Sequence, residues 1–135
     1  MPEITSTLVR TGAAVVAPSI EKKAWGPKRT VFYAPDKCLV EHASPRKGGF
    51  SSRHCHEENF NEFYLLSGEL RVTFYTPQGE ETCSIVLMPG QRLTVPPKLW
   101  HRFECLEDCE LIETYWKTGL AVGDIVRADE GGLLT

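Results

Sequence analysis

Two histidines one residue apart, His54 and His56 in GGFSSRHCHEENFNEFYLL, are followed by Asn61 and Glu62 side by side. If this stretch is extended, successive side chains point to opposite faces, so the two imidazoles project from one face with Cα atoms ~6.6 Å apart, two rises of ~3.3 Å. Two imidazoles at that spacing can reach one ion, while Arg53 and Cys55 face the other way. A third histidine, His101, closes the stretch PGQRLTVPPKLWH, where a turn, a strand and a proline pair deliver it to the start of another strand. Three neutral imidazoles suit zinc, iron, copper or nickel, and a carboxylate in the fourth place widens the choice toward manganese. Residue type alone leaves open whether Asn61 or Glu62 takes that place. The fourth histidine, His42, has no partner at useful spacing.

The elements that must hold these groups are strands. From Thr30 onward, short apolar or alternating runs recur between turn residues, as in RTVFYAP, KCLVEHASP, EFYLLSGELRVTFYTPQGEE and CELIETYWK. Leu70, Val72 and Phe74 share one face of ELRVTFY while Arg71, Thr73 and Tyr75 share the other. This rhythm predicts an all-β sandwich or barrel with little helix. Residues 1–29, punctuated by Pro2, Gly12, Pro18, Gly26 and Pro27, read as an N-terminal arm with a short strand around TLVRTGAAVV. Residues 30–118 read as the barrel and 119–135 as a C-terminal tail.

Composition narrows the partners. The chain has 135 residues, one domain's worth, with 41% hydrophobic and 24% charged residues and a net charge of -3, which offers no field to nucleic acid. Five cysteines at irregular spacings read as reduced structural thiols. GAAVVAP falls well short of the ~20 apolar residues that span a bilayer and lacks the flanks of a signal peptide, so a cytoplasmic protein with no membrane partner is expected.

The histidine pattern resembles the cupin superfamily, antiparallel jelly-roll β-barrels. Its first motif, G-x5-H-x-H-x(3,4)-E-x6-G, is matched by Gly48, His54, His56 and Gly68. Its second, G-x5-P-x-G-x2-H-x3-N, is matched by Gly90, Pro96 and His101, with Lys98 replacing the glycine and Cys105 the asparagine. Leaving the motif's six intervening residues, 62–67, before Gly68 lands on Asn61 where the family carries its metal-binding glutamate. The resemblance therefore implies one divalent transition metal (Fe, Zn, Mn or Ni) on His54, His56 and His101, with Asn61 in the fourth place. Glu62 takes that place only if a bulge inserts a residue, since a one-residue shift turns a side chain to the opposite face.

The implied activity is that of a small metal-dependent enzyme acting on a small polar metabolite. A three-histidine centre with open positions resembles that of cupin dioxygenases. EKKAWG and GDIVRADEGG are similar to flanks of the cupin domains of type II mannose-6-phosphate isomerases, where a metal polarises a sugar oxygen and a base moves a proton. The alternative is a non-catalytic sugar- or metabolite-binding cupin whose metal site has decayed, which the missing glutamate favours. By strand parity Phe50 and Ser52 share the face of His54, Phe63 that of Asn61, and Phe103 and Cys105 that of His101, so these five are the expected ligand-pocket walls. Tyr64, Tyr75, Tyr115, Trp100 and Trp116 fall mostly on the opposite parity or near strand ends, and large outward aromatics predict a homodimer.

Overall fold

The computed structural model describes residues 6–8, 12–116 and 125–134, among which there are fifteen strands and no helix. The first five are β1 (Ser6–Leu8), β2 (Ala14–Val16), β3 (Ile20–Lys23), β4 (Gly26–Ala34) and β5 (Cys38–Ala43). The middle five are β6 (Gly49–Phe50), β7 (His54–His56), β8 (Phe60–Ser67), β9 (Leu70–Tyr75) and β10 (Glu81–Leu87). The last five are β11 (Arg92–Val95), β12 (Trp100–Cys105), β13 (Glu110–Trp116), β14 (Ile125–Arg127) and β15 (Gly132–Leu133).

One sheet runs β10-β9-β12-β6-β15, with β7 also paired to β12 and β14 paired to β7; the other runs β11-β8-β13-β5-β4-β3. Strands β1 and β2 pair only with each other among the described residues. Every pairing is antiparallel, and the chain changes sheet between β5 and β6, β7 and β8, β8 and β9, β10 and β11, β11 and β12, β12 and β13, and β13 and β14. This repeated crossing is a jelly roll, the all-β architecture expected.

Period-two alternation sets which residues meet inside. In β8, Asn61, Phe63 and Leu65 are buried, and in β12, His101, Phe103 and Cys105 are buried. Glu62 turns outward, where its carboxylate meets Arg92 at 3.3 Å. The register stacks these residues in layers along the barrel. Leu111 sits opposite Leu65 and Ala43, and Cys105 opposite Leu70, giving an apolar end. Glu113 lies opposite Phe63 and Glu41, and Phe103 opposite Val72. Tyr115 lies opposite Asn61 and Leu39, and His101 opposite Phe74 and His54, so the polar groups collect toward the other end. Each large apolar side chain buried in the first layer stabilises the fold by about 1.5–3 kcal/mol, which offsets the cost of a polar interior further along.

Two turns lock this arrangement. Gly68 joins β8 to β9 across the sheets at φ +94°, and a Cβ there would collide with the Asp108 carbonyl oxygen, so only glycine fits. Lys98, in the turn between β11 and β12, adopts φ 69°, the left-handed region that glycine enters freely and a lysine enters at a cost. The glycine of the second motif is therefore replaced in residue type but not in backbone shape.

The ends of the chain are built into both sheets. Strand β3 and the first residues of β4 fall within 1–29, while β14 and β15 fall within 119–135 and pair with β7 and β6. Residues 117–124 lie outside the described residues. Among the described residues no helix is long and apolar enough to cross a membrane. None of the five cysteines is in a disulfide.

Candidate metal centre and its cavity

Strand β7 places His54 and His56 on the barrel wall, and β12 brings His101 directly across from His54. The three rings converge, with one ligand atom from each lying within 4.8 Å of the others. The His54 and His101 ring centroids are 4.4 Å apart, those of His54 and His56 5.2 Å, and those of His56 and His101 5.7 Å. Backbone carbonyls fix two of the rings: His54 Nδ1 is 2.7 Å from the Ser52 carbonyl and His101 Nδ1 is 2.8 Å from that of Leu99. Each such bond makes Nδ1 the donor and leaves Nε2 as the bare lone pair, the tautomer a metal ligand needs.

Burial, reinforced by the charges that His101 and His56 would carry, pulls the His54 pKa down to about 2. Burial alone pulls His101 down to about 4 against its carbonyl bond. Both rings are therefore neutral at pH 7. His101 is fully buried and its Nε2 has no hydrogen-bond partner, and neither atom of the fully buried Asn61 amide has one either. Orphaned polar atoms in a dry interior are costly unless something else satisfies them. Three neutral imidazoles and a carboxamide form a donor set that fits a divalent transition ion.

The two histidine-bearing motifs are tied together by the backbone, since the Lys98 amide donates to the His56 carbonyl at 2.7 Å. The tail braces the other side. Ile125 pairs with His56 and Arg127 with His54, and the Arg127 guanidinium donates to Ser52 Oγ at 2.8 Å. The Arg53 amide is held by the Asp129 carboxylate at 2.5 Å.

His54 and His56 line a cavity of about 620 Å³. Its apolar lining includes Trp25, Leu39, Phe63 and Phe103, with Trp25 packed edge-on against Phe103 at 5.3 Å. The facing wall carries Lys28, Glu41, Glu113 and Tyr115, and the remaining lining includes Glu21, Lys23, Arg127 and Glu130. Lys28 Nζ is 3.1 Å from the Glu41 carboxylate, and the Tyr115 hydroxyl donates to Glu113. Burial, with the nearby Glu113 charge adding to it, raises the Glu41 pKa against the lowering by Lys28. Burial opposes the charge on Lys28, yet Glu113 and Glu41 together hold its pKa above the ordinary value. Burial likewise pushes the Tyr115 phenol well up, so it stays a donor.

Of the expected pocket walls, Ser52, Phe63 and Phe103 line this cavity, and Phe50 and Cys105 do not. Phe50 packs under the Arg102 guanidinium, 4.3 Å from the ring centroid, and against Gly132. The parity count from His54 fails because residues 51–53 separate β6 from β7, so the strand is not continuous. Cys105 belongs to the apolar layer, where its hydrogen bond with Cys109 and its burial raise the thiol pKa and leave it unreactive.

Tyr115, expected outside, faces the cavity, its ring centroid 5.3 Å from that of His56. His42 is not isolated: Nε2 lies 2.7 Å from the Glu110 carboxylate. Sequence reasoning passed over Lys28, Glu41 and Glu113 as site residues. Glutamates at otherwise apolar inward positions, Glu41 before Ala43 and Glu113 after Leu111, were the available signal.

A cupin-domain family model matches residues 42–115. No curated protein matches the chain. Among solved structures it is similar to a Bacillus subtilis oxalate decarboxylase with Mn(II) centres, at 16% identity and a TM-score of 0.66, covering 82% of this chain and 30% of that one. It is similar to the capsular polysaccharide assembling protein CapF of Staphylococcus aureus at 16% identity and a TM-score of 0.69, covering 84% and 34%. It is also similar to KdgF from Halomonas sp. at 20% identity and a TM-score of 0.61, covering 74% and 88%. The chain thus spans about a third of the first two proteins, and at these identities the likeness is one of fold.

Proposed function

Since the chain belongs to the cupin family, we propose that it is a metal-dependent enzyme acting on a small, oxygen-rich metabolite, with one divalent transition metal held by His54, His56 and His101. The observation that carries this reading is the convergence of three buried imidazoles within 4.8 Å, two of them oriented through Nδ1 by carbonyls. A metal there supplies Lewis acidity to a substrate oxygen. Asn61 lends its amide to the metal or to its water, which its full burial and two orphaned atoms support. Glu62, committed to Arg92 on the outer face, does not serve.

The chain's own residues do the rest. Ser52 and Leu99 fix the imidazole tautomers, Trp25 and Phe103 exclude water from one side, and the Glu113 carboxylate accepts the Tyr115 proton in a hydrogen bond beside the cavity. The test is metal content by plasma mass spectrometry in wild type beside His101→Ala. Near-stoichiometric metal that falls sharply in the variant supports the reading, whereas a wild type that stays metal-free after reconstitution with Fe, Zn, Mn or Ni overturns it.

A second reading, a non-catalytic binding cupin, draws on Asn61, a neutral side chain where the motif carries a carboxylate. Ligand bound tightly after exhaustive chelation, and never turned over, would favour it. Homodimerisation fits either reading: Val31 is 58% and Phe32 56% exposed on β4, and a second copy would remove them from water. Sedimentation equilibrium decides it.

A further inference from the structure

Glu41 and Glu113 face each other across β5 and β13, and both are more than nine-tenths buried. The same inward row holds Ala43 and Leu111, so apolar residues are what this face of the barrel ordinarily carries. Two carboxylates side by side in a dry wall repel each other and lose hydration. They are relieved in part by Lys28 on Glu41 and by the Tyr115 hydroxyl on Glu113. A carboxylate accepts about four hydrogen bonds, so acceptor capacity remains on both. It is turned toward a cavity of about 620 Å³, roomy enough for a small ligand.

We propose that Glu41 and Glu113 form a recognition wall for a neutral polyhydroxylated molecule, whose hydroxyls donate to the two carboxylates while its carbon face packs on Trp25 and Phe103. The charge pattern selects that chemistry. A dianion would meet the two glutamates, and an amine would meet Lys28 and Arg127. A hydroxyl both donates and accepts, so it satisfies Glu41 and Glu113 as donor and Lys28 as acceptor. Trp25 and Phe103 add the flat apolar surface that the C–H face of a sugar covers. This deepens the proposed function: it rests on the cavity being the ligand site, and not on the metal.

The experiment is saturation-transfer difference NMR on metal-free protein with D-mannitol, D-mannose and D-ribose as probes, against succinate and citrate, all at millimolar concentration. Transfer to at least one polyol and none to the dianions and trianions is expected. Glu41→Gln and Glu113→Gln should each weaken polyol binding about 10-fold, the difference between a charge-assisted and a neutral hydrogen bond. No transfer to any of the three polyols, preference for succinate or citrate, or unchanged binding in both variants would overturn the proposal. If one variant fails to fold, the other variant and the wild-type ranking still decide. Metal content, measured separately, reports on the proposed function, so the two can fail independently.

Discussion

The Lys98 amide donates to the carbonyl of His56 at 2.7 Å, and it can do so because Lys98 holds φ 69°. One strained residue thereby couples the turn before His101 to the strand bearing the other two histidines. Lys98→Gly relieves the strain while adding chain entropy to the unfolded state, for a net gain of about 0.5–1 kcal/mol in urea denaturation. Lys98→Pro, which removes the donor and forces φ negative, should lose more than about 2 kcal/mol and weaken metal binding.

Glu41 predicts a stability that changes with pH. Its folded pKa lies above its unfolded value, so the unfolded state releases the proton first as pH rises. The folded wild type is thus favoured below about pH 4.5 and loses that contribution as pH climbs through the raised folded pKa. Glu41→Gln cannot ionise and should match wild type near pH 4, then become the more stable of the two toward neutrality. Paired thermal melts across that range check the sign. Greater stability alongside weaker polyol binding would mark Glu41 as a residue kept for function.

On the proposed function, metal binding and folding are linked through the three histidines. Metal at 100 times its dissociation constant adds about 2.7 kcal/mol to the folded state, so chelation should lower the wild-type melting temperature by several degrees. His101→Ala should melt at the same temperature with and without metal.

Arg127, Ser52 and His54 form a chain of contacts. The Arg127 guanidinium donates to Ser52 Oγ, which itself lies 3.1 Å from His54 Nδ1. Removing such support costs metal affinity about 10–100-fold in other sites. We expect Ser52→Ala and Arg127→Ala each to weaken zinc binding at the lower end of that range, and the double variant to be no worse than the stronger single one. Competition titration with a chromophoric chelator measures all three; additive losses would mean that the contacts are independent.

The sequence by itself determined what local periodicity can encode. Alternation in ELRVTFY and its neighbours announced strands, and spacing put His54, His56 and His101 in register with the two cupin motifs. Counting from Gly68 also placed Asn61 inward and Glu62 outward, because a strand's faces repeat every two residues and β8 runs unbroken from Phe60 to Ser67. The same count failed for Phe50, where a break between β6 and β7 reset the phase. Tertiary structure alone decided which strands lie opposite one another. Glu41 and Glu113 are 72 positions apart and become neighbours only through the pairing of β5 with β13. Trp25 and Arg127, in segments that carried no periodic signal, reach the cavity because the two ends of the chain add strands to opposite sheets. Pairing of distant strands depends on the sum of long-range contacts, and no local pattern in the chain contains that sum.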